Sequence, residues 1–168
     1  MNKTKINQTI RTQLFSADKT KVLDALNKLK ESGNKDYLPI LFELMVAGCE
    51  TEVEQEIQKL LGTIKDKETI PVFINALQED RYQPIRKNIT TVCWQNGLDF
   101  SANIEVFVDI VINENWETAF EAFTVIDNME HFPSPEVMKP IKLKMAAALK
   151  VADEKRAYML EELLKSST

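Results

Sequence analysis

Apolar residues recur at helical spacing along the whole chain. The pattern is clearest at Val53, Ile57, Leu60 and Ile64, which share one face of a helix. Ten stripes of this kind follow one another, separated by short polar segments. The pattern therefore predicts an all-α chain of ten helices with no sheet.

Residues that start and end helices stand between these stripes, because short polar side chains cap N-termini and glycine tolerates the turn after a C-terminus. The predicted starts are Ser16 or Asp18, Asn34 or Asp36, Thr51, Asp66, Ser101 and the run Ser134-Pro135-Glu136, and the predicted ends are Gly33, Gly48 and Gly97. No structureless linker of ten or more residues interrupts the series, so we expect one continuous unit.

The helices repeat with a period of 31 to 34 residues. The matching positions in the first helix of each pair are Ile6, Leu38, Ile70, Ile104 and Val137, and those in the second are Val22, Val53, Ile85 and Ala119. Two interlocked series at one period favour a repeat array. The alternative is an ordinary bundle whose helices have similar lengths.

The repeat resembles the short bacterial form of the HEAT-like repeat, most closely over residues 51–93. The similar segments are residues 57–66, residues 68–80 and Ile85-Arg86. They resemble the family's inner helix with the acidic turn after it, its outer helix with an early proline, and its apolar–Arg pair. After residue 94 the resemblance weakens. Trp94 occupies a position where the repeat has glycine, Phe120 occupies the position of the arginine, and Pro140 lies inside a predicted helix.

The resemblance implies a right-handed α-solenoid of about five antiparallel helix pairs, an armadillo-type superhelix in which neighbouring repeats bury each other's apolar faces. The expected repeats are 3–33, 34–65, 66–98, 101–130 and 134–166 within a single domain over residues 1–168. The resemblance implies a fold and not an activity.

Composition and charge narrow the function classes. The chain has 168 residues, 44% of them hydrophobic, and only 4 Gly and 6 Pro, which argues against a β-sandwich. Its net charge of −5 disfavours nucleic-acid binding, which needs cationic residues. No signal-like apolar run opens the sequence and no stretch of 18 apolar residues exists, so we expect a cytoplasmic protein that spans no membrane.

Residues with catalytic or metal-binding chemistry are few. His131 is the single histidine and is predicted to lie in a loop, and Cys49 and Cys93 lie 44 residues apart without a CxxC pair. We therefore expect reduced cysteines, no metal, no cofactor and no catalytic residue. A few HEAT-like proteins act on DNA bases or on chromophore attachment, and Trp94, Trp116 and Asp127 are the residues that could imitate such a site.

The second helix of each pair is expected to line the concave side, where a partner would bind. Counting 100° per residue places Thr90, Trp94 and Val125 among the exposed positions, with Phe120 beside them. Large aromatic residues on exposed faces are common interface anchors. The predicted partner surface comprises Glu54, Arg86, Trp94, Phe120 and Glu121. The alternative is that the aromatic side chains pack at an irregular joint between helices.

Two inner helices are acidic. Their acids either form a solvated face, in which some of them favour a helix N-terminus, or attract a cationic partner. Their acids are Glu50, Glu52, Glu54 and Glu56, and Glu114, Glu117, Glu121, Asp127 and Glu130. The sequence thus predicts a non-catalytic scaffold or adaptor that binds another protein or a basic peptide, with neither nucleic acid nor membrane as partner. The alternatives are a homo-oligomerising structural module, suggested by the apolar run Tyr158-Met159-Leu160, and a HEAT-like enzyme.

Overall fold

The structure is a computed structural model that describes residues 6–32 and 35–167. Over these residues all regular structure is helical, with ten α-helices, four 3₁₀-helices and no strand, which confirms the all-α prediction. The α-helices are α1 Gln8–Leu14, α2 Lys19–Ser32, α3 Leu38–Ala47, α4 Thr51–Gly62, α5 Ile70–Gln78, α6 Arg86–Gln95, α7 Ile104–Asn113, α8 Trp116–Asp127, α9 Pro135–Leu149 and α10 Glu154–Ser166. The 3₁₀-helices are Lys35–Tyr37, Lys67–Thr69, Asp80–Ile85 and Ser101–Asn103.

Most predicted helix boundaries match the structure. Asp18 accepts a hydrogen bond from the Thr20 N–H at 3.0 Å at the start of α2, and Asp66 accepts one from the Glu68 N–H at 2.9 Å. Gly48 ends α3 with φ 87°, a backbone conformation that favours glycine. These contacts satisfy polar backbone groups that helix ends leave without an intrahelical partner.

Other predicted starts differ from the structure. Asp36 and Ser101 lie in the 3₁₀-helices that precede α3 and α7, whose N-cap residues are Tyr37 and Asn103. The prediction that Thr51 caps α4 is wrong, because Glu50 occupies the N-cap position and Thr51 is the first helical residue. Ser134 is the N-cap residue of α9 as predicted, with Pro135 at the first helical position. The predicted end at Gly33 and the predicted cap at Asn34 lie outside the described residues.

The chain divides into two compact units, Met1–Ile85 and Arg86–Thr168, hereafter unit 1 and unit 2. In unit 1, α1 and α4 both pack on α2, and α3 contacts the 3₁₀-helix Asp80–Ile85. The aromatic core of this unit is centred on Phe42, whose ring centroid lies 6.1 Å from that of Phe73 and 5.6 Å from that of Tyr82. The single repeat domain expected from the sequence stays a prediction.

In unit 2, helix α8 packs against α6, α7 and α10, and α9 packs against α7 and α10. The fully buried Phe107 of α7 meets Phe100 edge to face, with ring centroids 5.5 Å apart. Five of the twelve residues of α8 are buried, namely Thr118, Ala119, Ala122, Val125 and Ile126, and the other seven reach solvent. This open face carries several of the residues considered below.

Leu60 of α4 is buried, as its place in the apolar stripe predicts. Leu60→Ala is expected to lower the free energy of unfolding by about 2–3 kcal/mol, near the lower end for buried leucines, because Leu60 borders a cavity where neighbours can relax. Urea denaturation followed by circular dichroism measures this change, with the exposed Lys59→Ala as the control. A midpoint equal to that of the control would mean that Leu60 makes little contribution to the core.

Candidate partner-binding surface

Trp94 and Phe120, the two aromatic residues of the predicted surface, both reach solvent. Trp94 at the C-terminal end of α6 is 37% exposed, and Phe120 in the middle of α8 is 42% exposed. Neither side chain is therefore fully buried between helices, and packing of both rings at a joint stays an alternative prediction. Large apolar side chains left in contact with water often mark interaction sites when they form a contiguous patch.

The aromatic residues of α8 form such a patch. Trp116, Phe120 and Phe123 follow the i, i+4, i+7 spacing of one helix face. The ring centroids of Trp116 and Phe120 are 5.2 Å apart, and those of Phe120 and Phe123 are 6.0 Å apart in a stacked arrangement. We call these three residues, together with Trp94, the aromatic surface of unit 2.

Carboxylates of α8 connect this row of rings to α6. The Trp94 indole N–H donates a hydrogen bond to Glu121 Oε2 at 2.6 Å, and the Lys87 ammonium lies 3.1 Å from Glu117 Oε2. The first contact orients the Trp94 indole N–H toward Glu121 of α8. The aromatic surface is thus bordered by acidic groups.

A cation already lies on one ring of this surface. The Lys155 ammonium of α10 lies 4.9 Å from the centroid of the Trp116 ring, within the range of a cation–π contact. Trp116 itself is 40% exposed, so the contact covers only part of the ring. The contact shows that a cation can occupy this part of unit 2 close to α8.

Arg86, which the sequence assigned to the partner surface, is held inside unit 2. Its Nη1 lies 2.5 Å from Glu114 Oε1, and the two side chains are only 13% and 16% exposed. Arg156 of α10 donates to the backbone carbonyl oxygens of Val111 and Glu114 at the end of α7. Arg86 therefore contributes an internal ion pair at the place where α7 ends.

Glu54, the remaining predicted site residue, lies in unit 1 and is half-buried on α4. Neighbouring acids of this helix contact lysines of α2: Lys19 Nζ lies 2.8 Å from Glu52 Oε2, and Lys30 Nζ lies 3.5 Å from Glu56 Oε2. The hydrogen bond to Glu52 raises the pKa of Lys19 above its ordinary value. These ion pairs offset much of the negative charge of α4.

Three sequence assignments to exposed or buried faces are wrong. Thr90 and Val125, expected on the outer face, are buried, and the Thr90 hydroxyl donates to the Arg86 carbonyl oxygen at 2.7 Å. Phe123, which the apolar stripe of Ala119, Phe123 and Ile126 in the sequence predicts to be in the core, is only half-buried and stacks on Phe120. With α6, α7 and α10 packed on α8, Val125 lies in the core and Phe123 lies nearer the solvent, so the buried face is rotated from the one that a helical projection predicts.

The residues proposed for an enzyme-like site do not come together along α8. Trp116 is its first residue and Asp127 its last, so their backbones are about 16 Å apart along the helix axis. Trp94 bonds to Glu121, between them. His131 lies in the loop before α9, as predicted.

Both cysteine thiols have a raised pKa. Burial raises the pKa of the Cys93 thiol, and burial followed by the nearby Glu54 carboxylate raises the pKa of the Cys49 thiol. A raised pKa leaves less thiolate at neutral pH, and the thiolate is the nucleophile.

We therefore expect both thiols to react more slowly with iodoacetamide at pH 7.5 than free cysteine does, and Cys93 to react at an appreciable rate only on unfolding. Mass spectrometry of the alkylated chain at successive times measures the two rates separately. Rapid modification of Cys93 in the folded chain would contradict its burial.

The described residues include no cluster of three or more His, Cys, Asp and Glu side chains arranged to hold a metal ion. In the same part of the chain, no helix has the length and apolar character needed to cross a membrane. Comparison with protein-family models, curated proteins and solved structures finds no match to this chain.

Proposed function

We propose that this chain is a non-catalytic scaffold or adaptor, a short HEAT-like α-solenoid of antiparallel helix pairs that binds a basic peptide segment of another protein. Its binding site is the aromatic surface of unit 2. The observation that carries the proposal is the row of three partly exposed rings on α8, with Trp94 beside it and carboxylates along its edge. Aromatic side chains are enriched among the residues that dominate binding energy in interfaces.

Charge supports a cationic partner. Residues 86–168 contain 9 Lys and Arg residues against 13 Asp and Glu residues, a net charge of −4. Acidic groups beside apolar rings steer a basic segment toward the surface and repel nucleic acid. The partner's apolar side chains would then cover the rings, while its cations would compete with Lys155 for the face of Trp116.

Helix packing supports the HEAT-like arrangement. In unit 2, α6 contacts α8, and in unit 1, α2 contacts α4, so alternate helices are neighbours as stacked repeats require.

The outer face of α10 supports the proposal that this helix caps the end of the repeat array. Met159, Leu160 and Leu163 are buried on one side, and Tyr158 is the large apolar residue left in solvent on the other.

The test is fluorescence anisotropy with a labelled twelve-residue peptide in which Leu alternates with Arg and Lys. We expect saturable binding that weakens as NaCl rises from about 50 mM to about 500 mM. Phe120→Ala should weaken binding by at least about tenfold, as loss of an aromatic anchor does. Phe15→Ala, which removes a 48% exposed ring from unit 1, is the matched control and should have little effect.

Two results would contradict the proposal: equal binding of a peptide with Glu in place of Arg and Lys, or equal losses in the Phe120 and Phe15 variants. A concentration-dependent dimer in sedimentation velocity that Tyr158→Ala dissociates would favour the oligomeric alternative instead.

A further inference from the structure

A cavity of about 270 Å³ opens in unit 2 next to the aromatic surface. It lies between the C-terminal ends of α6 and α8 and the loops that follow them. It is lined by Cys93, Trp94, Gly97, Leu98, Asp99, Phe100, Val125, Asn128, Met129, Glu130 and His131. Trp94 belongs both to this lining and to the aromatic surface, so a ligand bound on that surface can reach into the cavity.

The lining favours a positive charge. Asp99 and Glu130 contribute two carboxylates, and the lining that the structure describes contains no Lys or Arg. Helices α6 and α8 both end at this cavity, at Gln95 and Asp127. The C-terminus of a helix carries a partial negative charge, which stabilises cations nearby.

The Trp94 ring supplies a wall suited to a flat cation. Its hydrogen bond to Glu121 holds the indole in place, so binding does not have to order this side chain. A guanidinium group can stack on such a ring while its N–H groups bond to carboxylates in a fork. An ammonium group lacks the planar shape for both contacts.

The size of the cavity indicates whether it binds a side chain of a polypeptide or a free small molecule. Pockets for small molecules and cofactors usually occupy about 300–1,000 Å³, so 270 Å³ is at or below the lower limit. It is nevertheless many times larger than the roughly 10–15 Å³ that one water needs. These dimensions suit one long side chain of a bound polypeptide.

We propose that this cavity binds the guanidinium group of an arginine side chain from the basic partner, an inference that rests on the function proposed above. Trp94 stacks on the guanidinium plane, and Asp99 and Glu130 accept its hydrogen bonds. The remaining peptide lies on Phe120 and Trp116. The cavity therefore requires arginine at one position of the bound partner segment, and lysine at that position does not replace it.

The first test uses N-acetyl-arginine amide as a probe in two-dimensional NMR of the full chain. We expect saturable shifts of the Trp94 indole and Gly97 amide signals, and no comparable shifts with N-acetyl-citrulline amide, which has similar shape but no charge. N-acetyl-lysine amide should bind several-fold more weakly. Shifts that are equal for arginine and citrulline, or that leave Trp94 and Gly97 unchanged, would overturn the proposal.

A matched pair of variants separates local contacts from total charge. Asp99→Asn with Glu130→Gln should weaken arginine binding by about tenfold or more, because charge-assisted hydrogen bonds are lost. Asn at position 99 keeps the oxygen that accepts the Ser101 N–H at 2.9 Å, so the loop should be preserved. Glu161→Gln with Glu162→Gln on α10 removes the same charge away from the cavity and should leave binding unchanged. Equal weakening in both variants would contradict the proposed contacts.

The peptide assay distinguishes failure of this inference from failure of the proposed function. If the peptide binds and Phe120→Ala weakens it, but lysine at every cationic position serves equally well, the arginine site is wrong and the proposed function stands. If arginine amide binds at Trp94 while no basic peptide binds, the cavity assignment stands and the proposed function is wrong.

Discussion

Replacing Phe107 with alanine is expected to lower the free energy of unfolding by about 3–5 kcal/mol, whereas Phe120→Ala should change it by less than about 1 kcal/mol. Both substitutions remove the same side chain within unit 2. Phe107 is fully buried and packs edge to face on Phe100, so alanine leaves a cavity and loses a ring contact. Phe120 is 42% exposed, so much of its ring is in water in the folded chain as well.

Tryptophan fluorescence during urea denaturation measures this difference in unfolding free energy specifically for unit 2. The chain contains two tryptophans, Trp94 and Trp116, and both belong to unit 2. Fluorescence therefore follows unit 2, while circular dichroism follows both units, and coincidence of the two transitions tests two-state unfolding. A Phe120 variant as destabilised as the Phe107 variant would show that the aromatic surface stabilises the fold rather than binding a partner.

The helical content of the chain follows from local sequence alone. Apolar residues at spacings of three and four identify each helix because only that period places them on one face. Asp18 and Asp66 were identified as helix starts because their short carboxylates reach nearby backbone N–H groups. Gly48 is a predicted helix end because glycine tolerates the turn after a helix C-terminus, and its φ of 87° is such a conformation.

Burial at the candidate site depends on packing that periodicity does not describe. A helical projection placed Thr90 and Val125 outside, but neighbouring helices in unit 2 bury both. Arg86 appeared available for a partner because its ion-pair acceptor, Glu114, is 28 residues away and on another part of the chain. The i, i+4, i+7 spacing of Trp116, Phe120 and Phe123 is visible in the sequence, and it is the signal that could have identified the aromatic row.

Removing Arg86 alone is expected to destabilise unit 2 strongly. Arg86→Met leaves the Glu114 carboxylate, only 16% of whose side chain meets solvent, without its guanidinium partner, and leaving such a group unsatisfied costs about 1–3 kcal/mol or more when it is charged. Arg156 donates to the Glu114 carbonyl oxygen at 2.7 Å, so the backbone of Glu114 keeps a contact of its own in this variant. The free energy of unfolding from tryptophan fluorescence gives the loss.

The double variant Arg86→Met with Glu114→Gln is the control, because it removes both charges and leaves no unpaired ion. It should recover more than half of the stability lost in Arg86→Met, since replacing a whole buried ion pair is often close to neutral. Equal losses in the single and double variants would show that the pair contributes packing rather than charge compensation.

The same double variant tests the predicted partner role of Arg86. If the basic peptide binds this variant as tightly as it binds the unaltered chain, Arg86 acts only inside unit 2. The aromatic surface then accounts for binding without Arg86.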